Sequence, residues 1–470
     1  MRTGKLFIGR SVRKLRTEAG DTQAAFAAKL DISTSYLNQI ENNQRPISAA
    51  VLLVLADKFQ IDLRALGAGD DDHLLSALSE TLADPLFESQ RPALQELRLV
   101  VRNAPGIARA LIRSHAAYRQ NAEQLAHLDS RDESAEVAIA STVYEEVRDF
   151  FQYVNNYNHE LDTAAEELAR RLSIPQQEPG AALMAHLENR LKVRVLRSEG
   201  GDAPLRRFDA KAKALFLNPG LQAPTRNFLL AYQIGVLENA KLIEAVAARG
   251  EFRSADATEI CKLGLANFYA GALLMPYGAF RAAAQEVRHD LELLATRFHA
   301  SLEQIAHRLS TLQRPGDKGV PVFFARIDRA GNITKRHSAT KFQFARHGGA
   351  CPLWNIHQAF ESPGRLIRQL AQTPDGAKYL SVATEIVKGV GGFKSDRRRY
   401  AIALGCEAAY AGQFVYSDGL DLGDKSHFEP IGVSCRLCER PKCPQRSVPP
   451  LRHRLQVDHT TRDVVPYSVK

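Results

Sequence analysis

The chain has 470 residues, 45% hydrophobic and 24% charged, which is the composition of a globular protein rather than a disordered one. Its 62 Lys and Arg against 53 Asp and Glu give a formal net charge of +9, which favours an anionic partner such as nucleic acid or a phosphorylated ligand. The sequence contains no run of about 18 uncharged apolar residues and no apolar signal at its start, so we expect a cytoplasmic protein with no membrane partner.

Residues 6–66 predict a compact bundle of short helices. Thr22 and Ser33 are placed to cap two of them, and Leu37 and Ile40 give the second an inward face. The outward positions of that helix carry amide and hydroxyl side chains, the groups that contact base edges in a major groove. The residues expected to bind DNA are Gln23, Thr34, Ser35, Tyr36, Asn38, Gln39 and Arg45.

The stretch "TQAAFAAKLDISTSYLNQIENNQRPISAAVLLVLADKF" resembles the Cro/repressor-type (XRE) helix-turn-helix family. The resemblance implies double-stranded operator DNA as a partner and binding as a homodimer or higher homo-oligomer. Ten Lys and Arg against six Asp and Glu in residues 1–66 give a net charge of +4, which suits phosphate contact. The alternative is an ordinary helical bundle with a polar face.

Residues 70–172 are helix-compatible almost throughout, with apolar residues at helical intervals. We interpret them as a helical linker that also carries the dimer interface. The alternative is a solvated helical hairpin, because the apolar repeat is not a regular heptad.

Residues 173–312 change to short alternating segments followed by helices, and they resemble the ImmA/IrrE-type metallopeptidase domain. Zinc hydrolysis in that family needs two histidines at i, i+4 and an adjacent carboxylate, the H-E-x-x-H pattern. The matching positions are Tyr232, Gln233 and Val236. Valine binds no metal and an amide is no general base, so we expect the fold without the enzyme activity.

Residues 313–470 predict an α+β sensor-like domain, with four strand-like runs and one helix, "PGRLIRQLAQ". Near its end Cys435, Cys438 and Cys443 follow a C-x2-C-x4-C spacing among prolines and basic residues. Three thiolates from one loop and a fourth from elsewhere suit an iron–sulfur cluster of the 4Fe-4S type. The fourth ligand is expected to be Cys406, with Cys351 as the other candidate. Zinc is the alternative metal, and free thiols are the third possibility.

From residue 6 to about 460 the chain resembles the short-chain fatty acyl transcriptional regulators, including regulators of propionate (methylcitrate) and glyoxylate-shunt genes. The resemblance rests on the order of an XRE head, a degenerate ImmA/IrrE-type middle, and a final domain with "CPLW", "LGC" and the three-cysteine loop. It implies that Cys435, Cys438 and Cys443 hold an iron–sulfur cluster and that an acyl-CoA or CoA effector binds nearby.

The turn "GVGGFKSDRRRY" offers a basic cradle for the phosphates of CoA. The residues expected to bind this cofactor are Lys394, Arg397, Arg398 and Arg399, with Trp354 lining the pocket. The alternatives are a solvated basic turn and a buried structural tryptophan.

The sequence thus predicts a multidomain transcriptional regulator: an all-α head (1–69), a helical linker (70–172), a degenerate metallopeptidase-like α+β middle (173–312) and an α+β sensor domain (313–470). Two alternatives stay open. One is a zinc-stabilised XRE regulator without an acyl-CoA effector, and the other is a metallopeptidase that cleaves a repressor.

Overall fold

The computed structural model describes residues 9–41, 45–59, 70–84, 86–87, 92–128, 135–174, 178–199, 203–342, 344, 350–390, 395–435, 438, 440, 443–450, 455–457, 460, 464–465 and 467–469. The chain divides into two compact units, Met1–Arg131 and Asp132–Lys470.

The described residues of the first unit form helices and the turns between them. Its helices are α1 (Gly9–Glu18), α2 (Gln23–Lys29), α3 (Thr34–Glu41), α4 (Ala49–Phe59), α5 (Asp70–Thr81), α6 (Leu94–Asn103) and α7 (Pro105–Leu128). Helices α1–α4 enclose one apolar core and α5–α7 enclose another.

Both predicted helix caps of the head are confirmed. The Thr22 hydroxyl accepts a hydrogen bond from the Ala25 amide at 3.2 Å, and the Ser33 hydroxyl accepts one from the Tyr36 amide at 3.1 Å. These bonds satisfy amides that a helix start leaves without partners, and they fix where α2 and α3 begin.

The second unit begins with helices packed around a small sheet. The helices are α8 (Ala135–Tyr153), α9 (His159–Arg171), α10 (Pro179–Ala185), α11 (Ala223–Glu238), α12 (Ala240–Ala248), α13 (Ala255–Leu274), α14 (Tyr277–Glu286), α15 (Leu291–Arg297) and α16 (Leu302–Ser310). The strands are β1 (Arg194–Arg197), β2 (Arg206–Asp209) and β3 (Ala214–Leu217), in the order β1-β3-β2.

A six-stranded sheet follows, in the order β5-β4-β8-β7-β6-β9. Its strands are β4 (Val322–Asp328), β5 (Ile333–Ser338), β6 (Ile367–Gln372), β7 (Lys378–Lys388), β8 (Arg398–Glu407) and β9 (Glu429–Pro430). A separate antiparallel pair joins β10 (Leu455–Gln456) to β11 (Ser468–Val469). One face of the large sheet shares a core with helices α8–α16, and the other covers a second core around Trp354.

The helix predicted for "PGRLIRQLAQ" is wrong, because residues 367–372 form strand β6, paired antiparallel with β7. Gly364 turns the chain with a φ of +74°, and alternate residues of β6 then face the two cores. Gln369 faces inward, where its side chain accepts from the Asn355 amide and donates to the Leu353 carbonyl. Pairing and these buried bonds outweigh the helical spacing of the apolar residues.

The prediction that residues 70–172 are mostly helical is confirmed, since helices α5–α9 cover most of that range. The helices belong to different units, because α5–α7 lie in the first and α8–α9 in the second. In the described parts of the chain, none of the helices combines the length and apolarity needed to cross a membrane.

Candidate functional site

The head presents the polar residues of α3 on one surface. Thr34, Ser35 and Asn38 are exposed, whereas Leu37 and Ile40 are buried in the head's core. Asp31, with a φ of +54°, turns the chain between α2 and α3. This is the helix-turn-helix geometry, in which the second helix enters a major groove.

A buried carboxylate holds α3 against the first two helices. Glu41 is 4% exposed and accepts from Arg16 Nε at 2.6 Å and from Gln23 Nε2 at 2.9 Å. Burial raises the pKa of the Glu41 carboxyl, but the bonds from Arg16 and Gln23 outweigh it and lower the pKa below its usual value. Gln23 therefore positions α3, in addition to its predicted place at the DNA surface.

Tyr36 and Arg45 form a second contact at this surface. The Arg45 guanidinium lies 5.0 Å from the centre of the Tyr36 ring, and the Tyr36 hydroxyl donates to the Pro46 carbonyl at 3.4 Å. Arg45 is exposed and Gln39 half-buried. The arginine is thus held beside α3, with its charge available to a phosphate.

Four cysteines line a single cleft in the second unit, of about 300 Å³ counted to its open mouth. Three are the loop residues Cys435, Cys438 and Cys443, and the fourth is Cys351. Cys351 and Cys438 are buried, and the other two are partly exposed. The cleft thus brings together thiols that are separated by up to 92 positions in sequence, an arrangement suited to a metal centre.

Gly432 lies between two of these sulfur atoms. Its amide donates to Cys351 Sγ at 3.2 Å, and a Cβ on this residue would come within 3.0 Å of Cys438 Sγ. The missing side chain therefore lets both sulfur atoms approach the same stretch of backbone. Burial raises the pKa of the Cys351 thiol, whereas the amides of Gly432 and Leu353 act in the opposite direction.

Two arginines hold the cysteine loop in place. Arg446 Nη1 donates to the carbonyls of Cys435 and Cys438, both at 3.3 Å. Arg440 donates to the Gln372 carbonyl at the end of β6, at 2.6 Å. Both arginines also line the cleft, where their charge favours thiolates.

Cys406 is not part of the cleft, so the candidate ligand set is corrected from Cys406 to Cys351. Cys406 lies in β8, fully buried in the core shared with the helices, opposite Val322 and Leu380 in the neighbouring strands. Burial raises the pKa of its thiol to about 12. A thiol in such apolar surroundings is a core side chain rather than a thiolate ligand.

The degenerate metallopeptidase positions lie on α11, which packs beside β2. Gln233 is 1% exposed and accepts a hydrogen bond from the Arg206 guanidinium, which also lies 4.6 Å from the centre of the Tyr232 ring. Val236 packs against the apolar core. A guanidinium therefore lies against the positions that would carry one zinc ligand and the general base in an active enzyme.

Family models match three consecutive parts of the chain. They are a helix-turn-helix at residues 12–66, an IrrE N-terminal-like domain at 188–310 and the C-terminal domain of the short-chain fatty acyl coenzyme A regulators at 311–467. A propionyl-CoA carboxylase regulator of Cereibacter sphaeroides is 50% identical, and the match covers 99% of both chains. The chain belongs to the short-chain fatty acyl coenzyme A regulator family.

Two further relatives come from Mycobacterium tuberculosis. The HTH-type transcriptional regulator RamB is 41% identical over 99% of both chains, and PrpR is 39% identical over 99% of this chain and 96% of its own. A solved structure of a Mycobacterium tuberculosis transcriptional regulator superposes with a TM-score of 0.67 at 40% identity, covering 69% of this chain and 99% of that one. The family member described here is thus a helix-turn-helix transcriptional regulator.

Four of the five residues expected to hold CoA in this regulator lie in the described part of the chain. Trp354 is 2% exposed and donates to the Ser381 hydroxyl at 3.0 Å, so it has the buried structural role left open as the alternative. Arg399 is bonded to Glu385 and to the Phe360 carbonyl. Arg397 and Arg398 are exposed, and Lys394 lies outside the described residues.

Proposed function

We propose that this regulator binds operator DNA through its N-terminal head and senses redox state through a 4Fe-4S cluster. The proposed ligands of the cluster are Cys351, Cys435, Cys438 and Cys443. The observation that carries the proposal is the convergence of these four thiols on one cleft. Four cysteine thiolates are the usual ligand set of such a cluster.

The main alternative to a cluster is a single zinc ion, because four cysteine thiolates also form tetrahedral zinc sites. Iron, sulfide and zinc analysis decides between the two.

The chemistry around the cleft also suits a cluster. A thiolate-ligated cluster carries negative charge, which Arg440 and Arg446 offset from positions on the cleft wall. The Ser447 hydroxyl donates to Cys435 Sγ at 3.3 Å and the Gly432 amide donates to Cys351 Sγ, and such bonds to sulfur tune the reduction potential of a bound cluster.

The proposed effector is a short-chain acyl-CoA, and the proposed target genes belong to short-chain acyl-CoA metabolism. The support is membership of a family named for such effectors and 50% identity to a propionyl-CoA carboxylase regulator. The effector must bind one arrangement of the DNA-binding heads more tightly than the other, because equal affinity for both shifts nothing. The heads act as a pair in a homodimer or higher homo-oligomer, as half-site recognition requires.

The decisive experiment is an anaerobic purification followed by iron, sulfide and zinc analysis and a visible spectrum. We expect about four iron and four sulfide per chain and absorbance near 400 nm, as is typical of such clusters. Cys438→Ala is expected to abolish all three signals while leaving the isolated fold intact by circular dichroism. A colourless protein with one zinc per chain would instead favour the zinc-stabilised regulator.

A further inference from the structure

A cluster of like charges lies where one end of the six-stranded sheet meets α16. We call it the basic sheet end, and it consists of Arg326 on β4, Lys335 on β5, Lys388 on β7 and Arg398 on β8. Three of its cations converge on one carboxylate, Glu303 of α16. This surface is distinct from the cysteine cleft, since none of these residues lines that cleft.

The arrangement is costly without a counter-ion. Arg326 and Lys335 are direct cross-strand partners, and so are Lys388 and Arg398. Like charges opposite each other on one face of a sheet repel and destabilise it. Two such pairs at one sheet end, facing a single carboxylate, leave a surplus of positive charge.

Glu303 compensates only part of this charge. It is 5% exposed, with Arg326 Nη1 at 2.9 Å and Lys335 Nζ at 3.3 Å from its oxygen Oε1, and Lys388 bonded to Oε2. Burial raises the pKa of this carboxyl, but the charges of Lys335, Lys388 and Arg326 outweigh it and lower the pKa to about 2. Glu303 is therefore ionised, and its single charge faces three cations.

Among the neighbouring groups, Asp328 on β4 contributes one more negative charge, which still leaves four cations against two carboxylates. The Asp328 carboxylate accepts hydrogen bonds from the Ala330 and Asn332 amides of the β4–β5 turn, both at 2.9 Å. His307 and His337 pack edge to face, and burial, followed by neighbouring charges, lowers the pKa of each, so both are neutral at pH 7. The local potential thus stays positive.

A β-bulge sets the direction of the Arg326 side chain. The pairing of β4 with β5 shifts register between Arg326 and Ile327, so Thr334 is an extra residue in β5. The Thr334 hydroxyl accepts from Arg326 Nε at 2.9 Å, and the guanidinium lies 4.6 Å from the centre of the Tyr400 ring. Bulges of this kind commonly direct side chains at binding sites.

Access is retained at this surface. The side chains of Lys335 and Lys388 are 45% and 47% exposed, although both contact a buried carboxylate. Part of each lysine side chain is therefore open to solvent, while Glu303 holds the ammonium groups in place. A guanidinium and two ammonium groups around one point match a compact phosphate or diphosphate group.

We propose that the basic sheet end is a binding site for a phosphate-bearing small ligand, held by Arg326, Lys335, Lys388 and Arg398, with Glu303 keeping the cations assembled when the ligand is absent. The phosphate chemistry follows from the charges alone. Assigning the phosphates to the acyl-CoA effector rests on the proposed function.

The test uses the full-length protein in phosphate-free buffer, with inorganic pyrophosphate as the probe and calorimetry as the measurement. Lys335→Gln/Lys388→Gln is expected to weaken pyrophosphate binding at least about 10-fold, because each lysine would supply a charge-assisted hydrogen bond to the phosphate. Glu303→Gln is expected to strengthen it about 5-fold or more, because the competing carboxylate is gone. Lys262→Gln is the matched control, since Lys262 also contacts two glutamates, and it should bind as the parent does.

The double lysine variant keeps Arg326 paired with Glu303, so we expect it to fold. It therefore tests the phosphate site even if Glu303→Gln fails to fold. Pyrophosphate binding that is absent in the parent, or unchanged in the double variant, would overturn the site. Titration with CoA identifies the source of the phosphates. If the double lysine variant loses both CoA and pyrophosphate binding, the phosphates belong to CoA. If it loses only pyrophosphate binding, the site binds a free phosphorylated ligand. Iron analysis of the same variants tests the cluster separately, because the cysteine cleft is untouched.

Discussion

The Arg206 guanidinium donates a hydrogen bond to the side-chain oxygen of Gln233 and lies over the Tyr232 ring. In a metallopeptidase of this fold, the corresponding positions carry a zinc ligand and the general base. Here the positive charge comes from the chain itself. The scaffold has kept a cation beside α11 while losing the groups that bind zinc and activate water.

Gln233→Ala is therefore expected to act on stability and not on catalysis. The change leaves a half-buried guanidinium without its acceptor, which costs about 1–3 kcal/mol of unfolding free energy. Urea denaturation measures this loss, and operator binding should be unchanged. Gln222→Ala is the control, because Gln222 is exposed at the start of the same helix and makes no capping bond. Peptide cleavage by the parent protein in the presence of Zn²⁺, abolished by Gln233→Ala, would contradict this view.

Within the head, Gln39 is expected to contact bases and Arg45 to contact phosphates. Gln39→Ala is expected to cost about 1–3 kcal/mol at the operator and little on random DNA, because amide groups contact base edges. Arg45→Gln should weaken both complexes alike and reduce the salt dependence by about one phosphate contact. Gel-shift titrations on operator and random duplexes at two salt concentrations measure both effects. Equal losses on the two duplexes for Gln39→Ala would place its side chain outside the base contacts.

Glu41→Ala is expected to weaken DNA binding by destabilising the head and not by removing a DNA contact. Removing this buried carboxylate leaves Arg16 and Gln23 without their partner and costs about 3–5 kcal/mol, as breaking a buried ion pair does. DNA binding should then fall on every sequence, together with the melting temperature of the head. Normal stability with lost binding would instead make Glu41 a DNA-contacting residue.

The sequence predicts local features of this fold well and distant contacts poorly. The caps at Thr22 and Ser33 and the buried face of α3 follow from short-range spacing, and the structure confirms them. The helical spacing of the apolar residues in 367–372 predicts a helix, but pairing with β7 makes this segment a strand. Propensity is a weak guide where neighbouring strands supply the hydrogen bonds.

In the candidate site too, the local features can be predicted from the sequence and the distant contacts cannot. Three of its cysteines lie within nine positions of the sequence and carry a recognisable spacing. The choice between Cys351 and Cys406 depends instead on which face of the sheet each one meets. The basic sheet end has no sequence signature, because its cations come from four separate strands. Only the strand order and register bring them together.

His337 is expected to make stability depend on pH. Burial, followed by the charges of Lys335 and Arg336, lowers its pKa from 6.5 to about 3 in the folded protein. Between these values the unfolded chain binds a proton that the folded chain does not, so stability is lost as pH falls from 6.5 towards 3. The expected slope is at most about 1.4 kcal/mol per pH unit for this one proton. His337→Gln should reduce the slope of the unfolding free energy against pH over this range by up to that one proton, leaving the part due to His307, and an unchanged slope would assign it to other groups.

Cys351→Ala and Cys406→Ala form a matched pair, because both remove one buried thiol from the same domain. Cys351 lines the cleft with the three loop cysteines, so its loss is expected to abolish iron and sulfide binding and the absorbance near 400 nm. Cys406 lies in the core shared with the helices, so its loss should cost about 1 kcal/mol of stability through a small cavity and leave the iron content unchanged. Anaerobic iron and sulfide assays on both variants decide whether Cys351 or Cys406 is the fourth ligand. Iron lost from Cys406→Ala and kept in Cys351→Ala would reverse the assignment of the fourth ligand, and iron kept in both would mean that the loop cysteines act without either.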